Sequence, residues 1–582
     1  MPITGASRVV QALKEGGVRC VFGLPGTQTV ELFEALRRNG VRTVVTTNEL
    51  SAAFMAGGWA RVTGEPGVIL TIQGPGLTWA LTGVAEARLD SVPLVHIAGV
   101  ADGPRARRFR QQGIAQGAIV APLVKGVVDA DSHADPGAAM TEALVLARSG
   151  EPGPVMVEIS SATLSRETDA PALQRLPAQN RDRTSLDGLC TRVQNARRPV
   201  FMVGQGTTRY ADRLRTLIEQ IHSPLLTSPA ARGVVPEDHP LNFGFDPLAV
   251  GVANVNALIE SSDLVVVLGC KLAHTSTGGF ALKLPPDRLI HVDTSDDVLG
   301  ANYPASLQIV ADAGEALDAL LRCRPARSAW TSEEITTWRS RLTHRIAAPH
   351  EPRVAGTSAG DPQSFFASLR KALPTDAILA LDSGLHQIMA RRYYTVLAPL
   401  GLILPTDFQS MGFGISTAIG ARLANPHRAV VALVGDGGFA MTGLELLTAI
   451  RERITLIVIV FVDGSLGQIR MQQLEAYGAS HAVSLENPDF SLFAAAVGAR
   501  HLLVGDDDLE EVVATALENS GVTIVEVPVG DTFRIRRMAA FARARETTRR
   551  VASPHAFRLF RDVLKRVSRI VGLAPLLMLG SF

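Results

Sequence analysis

Two acids twenty-seven residues apart are the groups in this chain best placed to do chemistry together. Asp436 stands in Gly435-Asp436-Gly437-Gly438, which closes the apolar run Ala429-Val430-Val431-Ala432-Leu433-Val434. Asp463 closes a second run, Leu456-Ile457-Val458-Ile459-Val460-Phe461-Val462. Continuous apolar runs of this length read as parallel strands buried on both faces, and the spacing predicts a helix from about residue 442 to 450 between them. Both carboxylates then reach one edge of an open α/β sheet, at the carboxyl ends of its strands, where such sheets bind ligands. Hard oxygen donors with room for water and phosphate oxygens suit magnesium or calcium. The glycines allow close backbone approach to a diphosphate. A Gly-Asp-Gly alone is most often a turn; the second acid favours a metal-diphosphate site.

The elements needed to hold such a site fall into three α/β units. Residues 1–165 alternate helical segments (6–16, 29–39) with strand-like ones (21–23, 41–46, 67–72, 92–98, 155–159), the rhythm of a doubly wound parallel sheet. A polar, proline-containing stretch at 165–180 reads as a linker. A second unit covers 185–325, with strands at 200–203, 225–227, 264–268 and 289–292. There Gly204-Gln205-Gly206 follows a strand, but Arg209 occupies the third glycine position of a dinucleotide loop, so a tight turn competes with nucleotide binding. Residues 324–360 form a second connection around a short helix. The third unit, 361–530, carries the two acids. It matches the first in size and rhythm.

Composition bounds the rest. The chain has 582 residues, 46% of them hydrophobic, and a net charge of +1, enough apolar content for a multidomain enzyme core and too much for disorder. The charge is uneven: residues 531–582 hold twelve Arg/Lys against three Asp/Glu. In this basic tail Phe557, Phe560, Leu564, Val567 and Val571 recur at helical spacing opposite Arg558, Arg561, Lys565, Arg566 and Arg569. Such a helix suits peripheral contact with an anionic membrane, or a flap over the protein's own site. No aromatic-interleaved platform accompanies it, so nucleic acid is not an expected partner. Cys20, Cys190, Cys270 and Cys323 form no CxxC pair and read as free thiols. With no signal-peptide pattern and no spanning apolar run, a cytoplasmic location is expected.

Several segments in order resemble the thiamine diphosphate enzyme family of the acetolactate synthase and 2-oxo acid decarboxylase type. The resemblance covers residues 3–530. It implies pyrimidine-binding, central and diphosphate-binding domains, with active sites between the subunits of a homodimer or homotetramer. It assigns magnesium to Asp436, Asp463 and the Ser465 carbonyl, with Leu466 and Gly467 beside them; Asp463 stands where relatives carry Asn. It places the catalytic glutamate at Glu49, in Thr47-Asn48-Glu49-Leu50-Ser51, where a carboxyl group hydrogen-bonds the ring nitrogen of the aminopyrimidine. A favourable acid at a helix N-terminus is the alternative for that residue. Pro25 and Gly26 in Gly23-Leu24-Pro25-Gly26 correspond to the loop near the pyrimidine, and Gln73-Gly74-Pro75-Gly76 to a loop near substrate. Gln112 stands where relatives carry a substrate-orienting Gln, with Gln111 replacing their Phe; a solvated loop glutamine competes. Gly384 and His386 in Asp382-Ser383-Gly384-Leu385-His386 fall near the diphosphate, with Leu385 replacing a Gln. Met411, in Gln409-Ser410-Met411-Gly412-Phe413-Gly414, would be the apolar wedge between the cofactor's two rings.

The resemblance implies decarboxylation of a 2-oxo acid with carboligation to a second carbonyl. A non-ligating decarboxylase, a lyase of 2-hydroxyacyl thioesters and a catalytically silent homologue are the alternatives. The central domain does not match the segments that bind FAD in acetolactate synthases, so FAD is not expected. The segment Gly467-Gln468-Ile469-Arg470-Met471-Gln472-Gln473 lacks the tryptophan of their second-substrate pocket. Arg470 reads either as an anion ligand or as a surface arginine.

Overall fold

The computed structural model describes residues 3–100, 109–167, 184–246, 251–343, 362–505 and 508–529. Most of the linker expected at 165–180 and the basic tail lie outside them, and with the tail its expected amphipathic helix and membrane contact. Three parallel sheets organise the described chain. The first holds β1 (Cys20–Gly23), β2 (Arg42–Val45), β3 (Gly67–Thr71), β4 (Leu94–Val100), β5 (Val127–Asp129) and β6 (Pro154–Ser160), in the order β2-β1-β3-β4-β6-β5. The second holds β7 (Pro199–Val203), β8 (Leu225–Thr227), β9 (Leu264–Leu268), β10 (Leu289–Asp293) and β11 (Leu307–Val310), ordered β11-β10-β9-β7-β8. The third holds β12 (Ile378–Leu381), β13 (Leu402–Ile403), β14 (Val430–Gly435), β15 (Leu456–Val462), β16 (Arg500–Leu503) and β17 (Val522–Pro528), ordered β13-β12-β14-β15-β17-β16.

The first and third sheets have the same strand order when each is counted from its own first strand. In each, the chain leaves the first strand toward one side and the third strand toward the other. This reversal opens a crevice at the strands' carboxyl ends. In the first sheet it lies between β1 and β3, which carry the Pro25-Gly26 and Gln73–Gly76 loops. In the third it lies between β12 and β14, which carry the Gly384 and Asp436 loops. Register confirms that the two acids share an edge: Gly435 pairs with Phe461 across β14 and β15.

The second crossover helix of each sheet, Glu49–Thr63 and Phe413–Ala424, pack on each other. Ten consecutive residues from Ser51 to Ala60 are buried, so the helix has no solvent face. Glycine permits the close contact: a Cβ at Gly58 would collide with the Thr417 carbonyl, and one at Gly420 with the Met55 carbonyl. Residues of both sheets consequently share one apolar core, from Phe22 and Phe54 to Phe413 and Val434.

One expected element begins elsewhere. In place of a single helix over 442–450, helix Asp436–Thr442 leads through a 3₁₀ turn at Gly443–Glu445 into helix Leu446–Arg451. The glycines at 437 and 438 look like turn formers, yet they are helical, and they are glycine because neighbours crowd their Cβ positions. A Cβ at Gly438 would lie 2.8 Å from Asp382 Oδ2. Among the described residues, no helix is long and apolar enough to cross a membrane. All four cysteines are free.

Candidate active site

The crevice of the first sheet gathers the N-terminal candidates. Glu49 is the first residue of its helix, capped by Asn48, whose Oδ1 accepts the Ser51 N–H at 2.8 Å. The carboxyl group is half-buried, and that burial lifts it above the usual carboxylate range, against an opposing backbone hydrogen bond. Glu49 Oε1 lies 3.0 Å from where a Cβ on Gly76 would sit. Gly26 abuts Ile72, and Ile72 in turn abuts Gly76, while Pro25 is exposed beside them. Gln112 adopts φ +58°, and its carbonyl oxygen lies 2.8 Å from the Cβ position of Gly74. Pro25, Gly26, Glu49 and Gln112 therefore converge through the Gln73–Gly76 loop.

The crevice of the third sheet gathers the others. Asp436 is buried at the start of its helix. Its Oδ1 accepts Gly437 N–H at 2.8 Å; its Oδ2 accepts Asp463 N–H at 3.2 Å, Gly464 N–H at 2.8 Å and Asn487 Nδ2 at 2.8 Å. Asp463 Oδ1 accepts both the backbone N–H and the hydroxyl of Ser465. Its carboxyl group is held above the usual range, by burial first and by the Asp436 charge second; the Ser465 hydrogen bonds, then Arg470, offset this in part. Ser465 is fixed by an antiparallel bridge to Ser484, with Leu466 N–H donating to Val483 and Leu485 N–H to Gly464. Gly467 needs to be glycine because a Cβ would strike Asp463 Oδ2. Met411 Cε, Leu466 Cδ2 and Leu485 Cδ1 lie 3.3, 3.1 and 3.2 Å from the Cβ position of Gly437. Met411 thus stands directly over residues 435–438.

His386 is buried, and burial pushes its imidazole down to about 4, so it is neutral. It packs against both Gly384 and Gly435, with Nδ1 3.2 Å from the Cβ position of the latter. Its Nε2 is shut off from solvent without a hydrogen-bond partner, which is costly unless a ligand meets it. The Asp382 backbone holds the ring's one N–H, so the neutral imidazole leaves Nε2 as an acceptor, suited to an N–H or O–H donor. The acid corner fits a cation: the buried Asp436 beside the half-buried Asp463, and fixed backbone next to them. No group of three or more His, Cys, Asp or Glu suited to a metal occurs among the described residues. A cation held here would therefore draw further ligands from backbone carbonyl, phosphate and water.

Comparison with known proteins decides what the two crevices belong to. The C-terminal TPP binding domain of thiamine pyrophosphate enzymes matches residues 382–527, the N-terminal TPP binding domain matches 3–119, and the central domain matches 186–320. A probable 2-ketoarginine decarboxylase of Pseudomonas aeruginosa is 33% identical over 538 residues, covering 90% of this chain and 94% of that protein. This chain belongs to the thiamine pyrophosphate enzyme family. The acetolactate synthase large subunit of Lactococcus lactis is 31% identical over 516 residues, 86% of this chain and 88% of its own. The isozyme 3 large subunit of Escherichia coli is 29% identical over 553 residues, 90% of this chain and 95% of its own. The expected family, fold class and enzyme type therefore hold. The three sheets are the three domains of a thiamine diphosphate-dependent enzyme like the acetolactate synthases and 2-oxo acid decarboxylases.

Sequence reading missed two residues of this corner. Asn487, which donates to Asp436 Oδ2, lies far along the chain in an exposed loop and carries no pattern of its own. Asp382, which opens Asp382-Ser383-Gly384, is the second. Its buried carboxyl group accepts Ser383 N–H at 2.6 Å, Gly412 N–H at 3.0 Å and Gly414 N–H at 3.2 Å. It thereby fixes the turn that presents Met411. An acid ending a buried strand just before a glycine loop was the available signal. The Glu49 and Asp436 groups stand on separate domains that are tied close by, where Thr47 N–H donates to Glu445 Oε1 at 3.1 Å.

Proposed function

We propose that the chain decarboxylates a 2-oxo acid and ligates the product to a second carbonyl, using magnesium-bound thiamine diphosphate. When bound, the cofactor supplies a nucleophilic carbon and an electron sink for the departing carboxylate. Asp436, Asp463 and the Ser465 carbonyl would hold magnesium. Gly384, His386, Gly435, Gly437, Gly438, Leu466 and Gly467 would border the diphosphate. Met411 would press between the cofactor's rings. Pro25 and Gly26 would border the pyrimidine, and Glu49 would hold a proton at its ring nitrogen. Gln112 would orient the substrate.

Glu49 carries this reading. It is a carboxyl group raised by burial, set against the glycine loops of one crevice, in a chain whose other crevice pairs Asp436 with Asp463. Deuterium exchange at C2 of bound thiamine diphosphate, with magnesium present, tests it without any guess about substrate. Fast exchange falling at least about 100-fold in Glu49→Gln is expected. Exchange no faster than in free cofactor would sink the reading.

Decarboxylation without ligation is the second reading. The 33% identity to a probable 2-ketoarginine decarboxylase favours it, as does the absence of tryptophan from residues 467–473. Product analysis with one and with two carbonyl substrates separates the two. The enzyme would work without FAD: Gly204 and Gly206 are packed on Gly269 and Cys270, so the turn after β7 is filled by the protein's own backbone. A homodimer or homotetramer with active sites between subunits fits the exposed apolar side chains Trp79, Met441 and Leu444, each within about two turns of a crevice loop. A cytoplasmic location is consistent with the free thiols.

A further inference from the structure

Gln28 has no part in the roles assigned so far, yet it decides what Gln112 can offer. It lies in the 3₁₀ turn Thr27–Thr29 after β1. Its Nε2 donates to Gln112 Oε1 at 2.9 Å, across eighty-four residues of sequence. Its Cβ lies 2.7 Å from where a side chain on Gly99 would begin, so it is wedged against the end of β4. Its own Oε1 is buried and unpartnered.

A primary amide has one acceptor oxygen and two N–H donors. With its oxygen turned onto Gln28, the Gln112 amide turns its N–H₂ side the other way, although the oxygen keeps a second lone pair. The backbone is pinned too. Gln112 takes a positive φ with its carbonyl against Gly74, and the Gln111 carbonyl accepts Gln73 Nε2 at 2.8 Å. Gly74 shares its loop with Gly76, which faces Glu49. The Gln112 amide is thus fixed in both position and polarity inside the loop cluster that contains Glu49.

We propose that Gln28 is a positioning residue that sets Gln112 as a hydrogen-bond donor, so that the site selects the anionic carboxylate oxygen of a 2-oxo acid. This rests on the thiamine diphosphate-dependent reading above. Neither amide titrates, so the selection does not change across the working pH range. A carboxylate at position 28 would reverse it: the acid would take the Gln112 N–H and turn its oxygen toward the substrate's negative charge.

The test uses the magnesium-loaded holoenzyme and the variants Gln28→Ala, Gln28→Glu, Gln112→Ala and the double alanine variant. Its readouts are kcat/KM for pyruvate and 2-ketoarginine, and Kd for methyl acetylphosphonate, an unreactive mimic of a 2-oxo acid that needs no turnover. Gln28→Ala should weaken binding and kcat/KM about 5–10-fold, the scale of one oriented hydrogen bond. Gln28→Glu should lose more than Gln28→Ala. In the Gln112→Ala background, Gln28→Ala should change binding less than about 2-fold, because the pair acts as a unit. C2 exchange should be unaltered in both Gln28 variants. Normal exchange with unchanged analogue binding in the Gln28 variants overturns this proposal alone, as does an equal loss in both backgrounds, which marks a merely structural role. Normal exchange in an unmutated enzyme that binds neither the analogue nor either acid also overturns it. Absence of exchange in the unmutated enzyme takes the cofactor reading down, and this proposal with it.

Discussion

Asp463 brings a second negative charge to a corner that already holds Asp436, and a diphosphate would add more. Burial and the Asp436 charge both disfavour its ionised form. An asparagine there would keep an oxygen for the metal while shedding one charge. We therefore expect Asp463→Asn to need less magnesium for half-saturation with thiamine diphosphate, by about 3–10-fold, the order of one charge pair in a partly solvated site. Titration of cofactor binding against magnesium checks this; an increased requirement would mean that the second carboxylate is a net gain to the metal. Met411 makes a separate prediction. Met411→Ala removes the apolar wedge without touching Glu49 or the acids, so kcat should fall while magnesium half-saturation changes little. Steady-state kinetics and the same titration separate the two effects.

At the scale of elements, the contact between helices Glu49–Thr63 and Phe413–Ala424 depends on two missing side chains. Gly58→Ala and Gly420→Ala would each push a methyl group into a facing backbone carbonyl and should destabilise the protein by about 1–3 kcal/mol. Gly57→Ala is the control. Nothing lies within 4 Å of its Cβ position, and alanine favours the helix by up to about 1 kcal/mol. Denaturant midpoints decide; equal losses at 57 and 58 would remove the steric account. These helices also mark how far the sequence could be read. Strands β14 and β15 were legible because burial on both faces demands continuous apolar runs, and the acids after them followed from that. Strands β11 and β16 lie at sheet edges, where residues such as Gln308, Arg500 and His501 can face solvent and interrupt the pattern. The helix starting at Asp436 was hidden because its glycines answer to Asp382 and Met411, far away in sequence. The Gln28–Gln112 pair was hidden for a similar reason: it depends on a positive φ and on side-chain directions that no local spacing encodes.

At the scale of the whole molecule, the first and third domains are joined by buried acids as well as by apolar packing. Glu86 Oε2 accepts Ser410 N–H at 3.0 Å, one residue before Met411, while Asp90 pairs with Arg61 at 2.7 Å and accepts Thr406 and Asp407 N–H. Burial, then the Asp90 charge, pushes the Glu86 carboxyl up to about 8. The folded state thus keeps a proton that the unfolded chain releases. The resulting stability is fully present below the unfolded carboxylate range, about 4, and is lost as pH rises through about 8. Glu86→Gln stays neutral, so its melting temperature should gain on that of the unmutated protein from about pH 5 to about pH 9. A difference that is constant with pH would show that Glu86 is ionised throughout. The same scale governs assembly. Trp79→Asp or Leu444→Asp should shift the particle to smaller species in sedimentation and lower activity with it, if the exposed apolar residues meet a second copy. Unchanged mass would remove them from the interface.

The glycine seam between the two helices has a consequence for how the protein can diverge. Backbone meets backbone at Gly58 and Gly420, so the contact has no rotamers to exchange and almost no tolerated alternatives. A saturation library should show positions 58 and 420 among the least tolerant of these helices, with alanine accepted at 57. Gln28 and Gln112 sit on loops beside Glu49, at the start of one seam helix, where a changed side chain leaves Gly58 and Gly420 untouched. Substrate preference can then drift through those loops over evolutionary time while the frame that aligns the two crevices stays frozen.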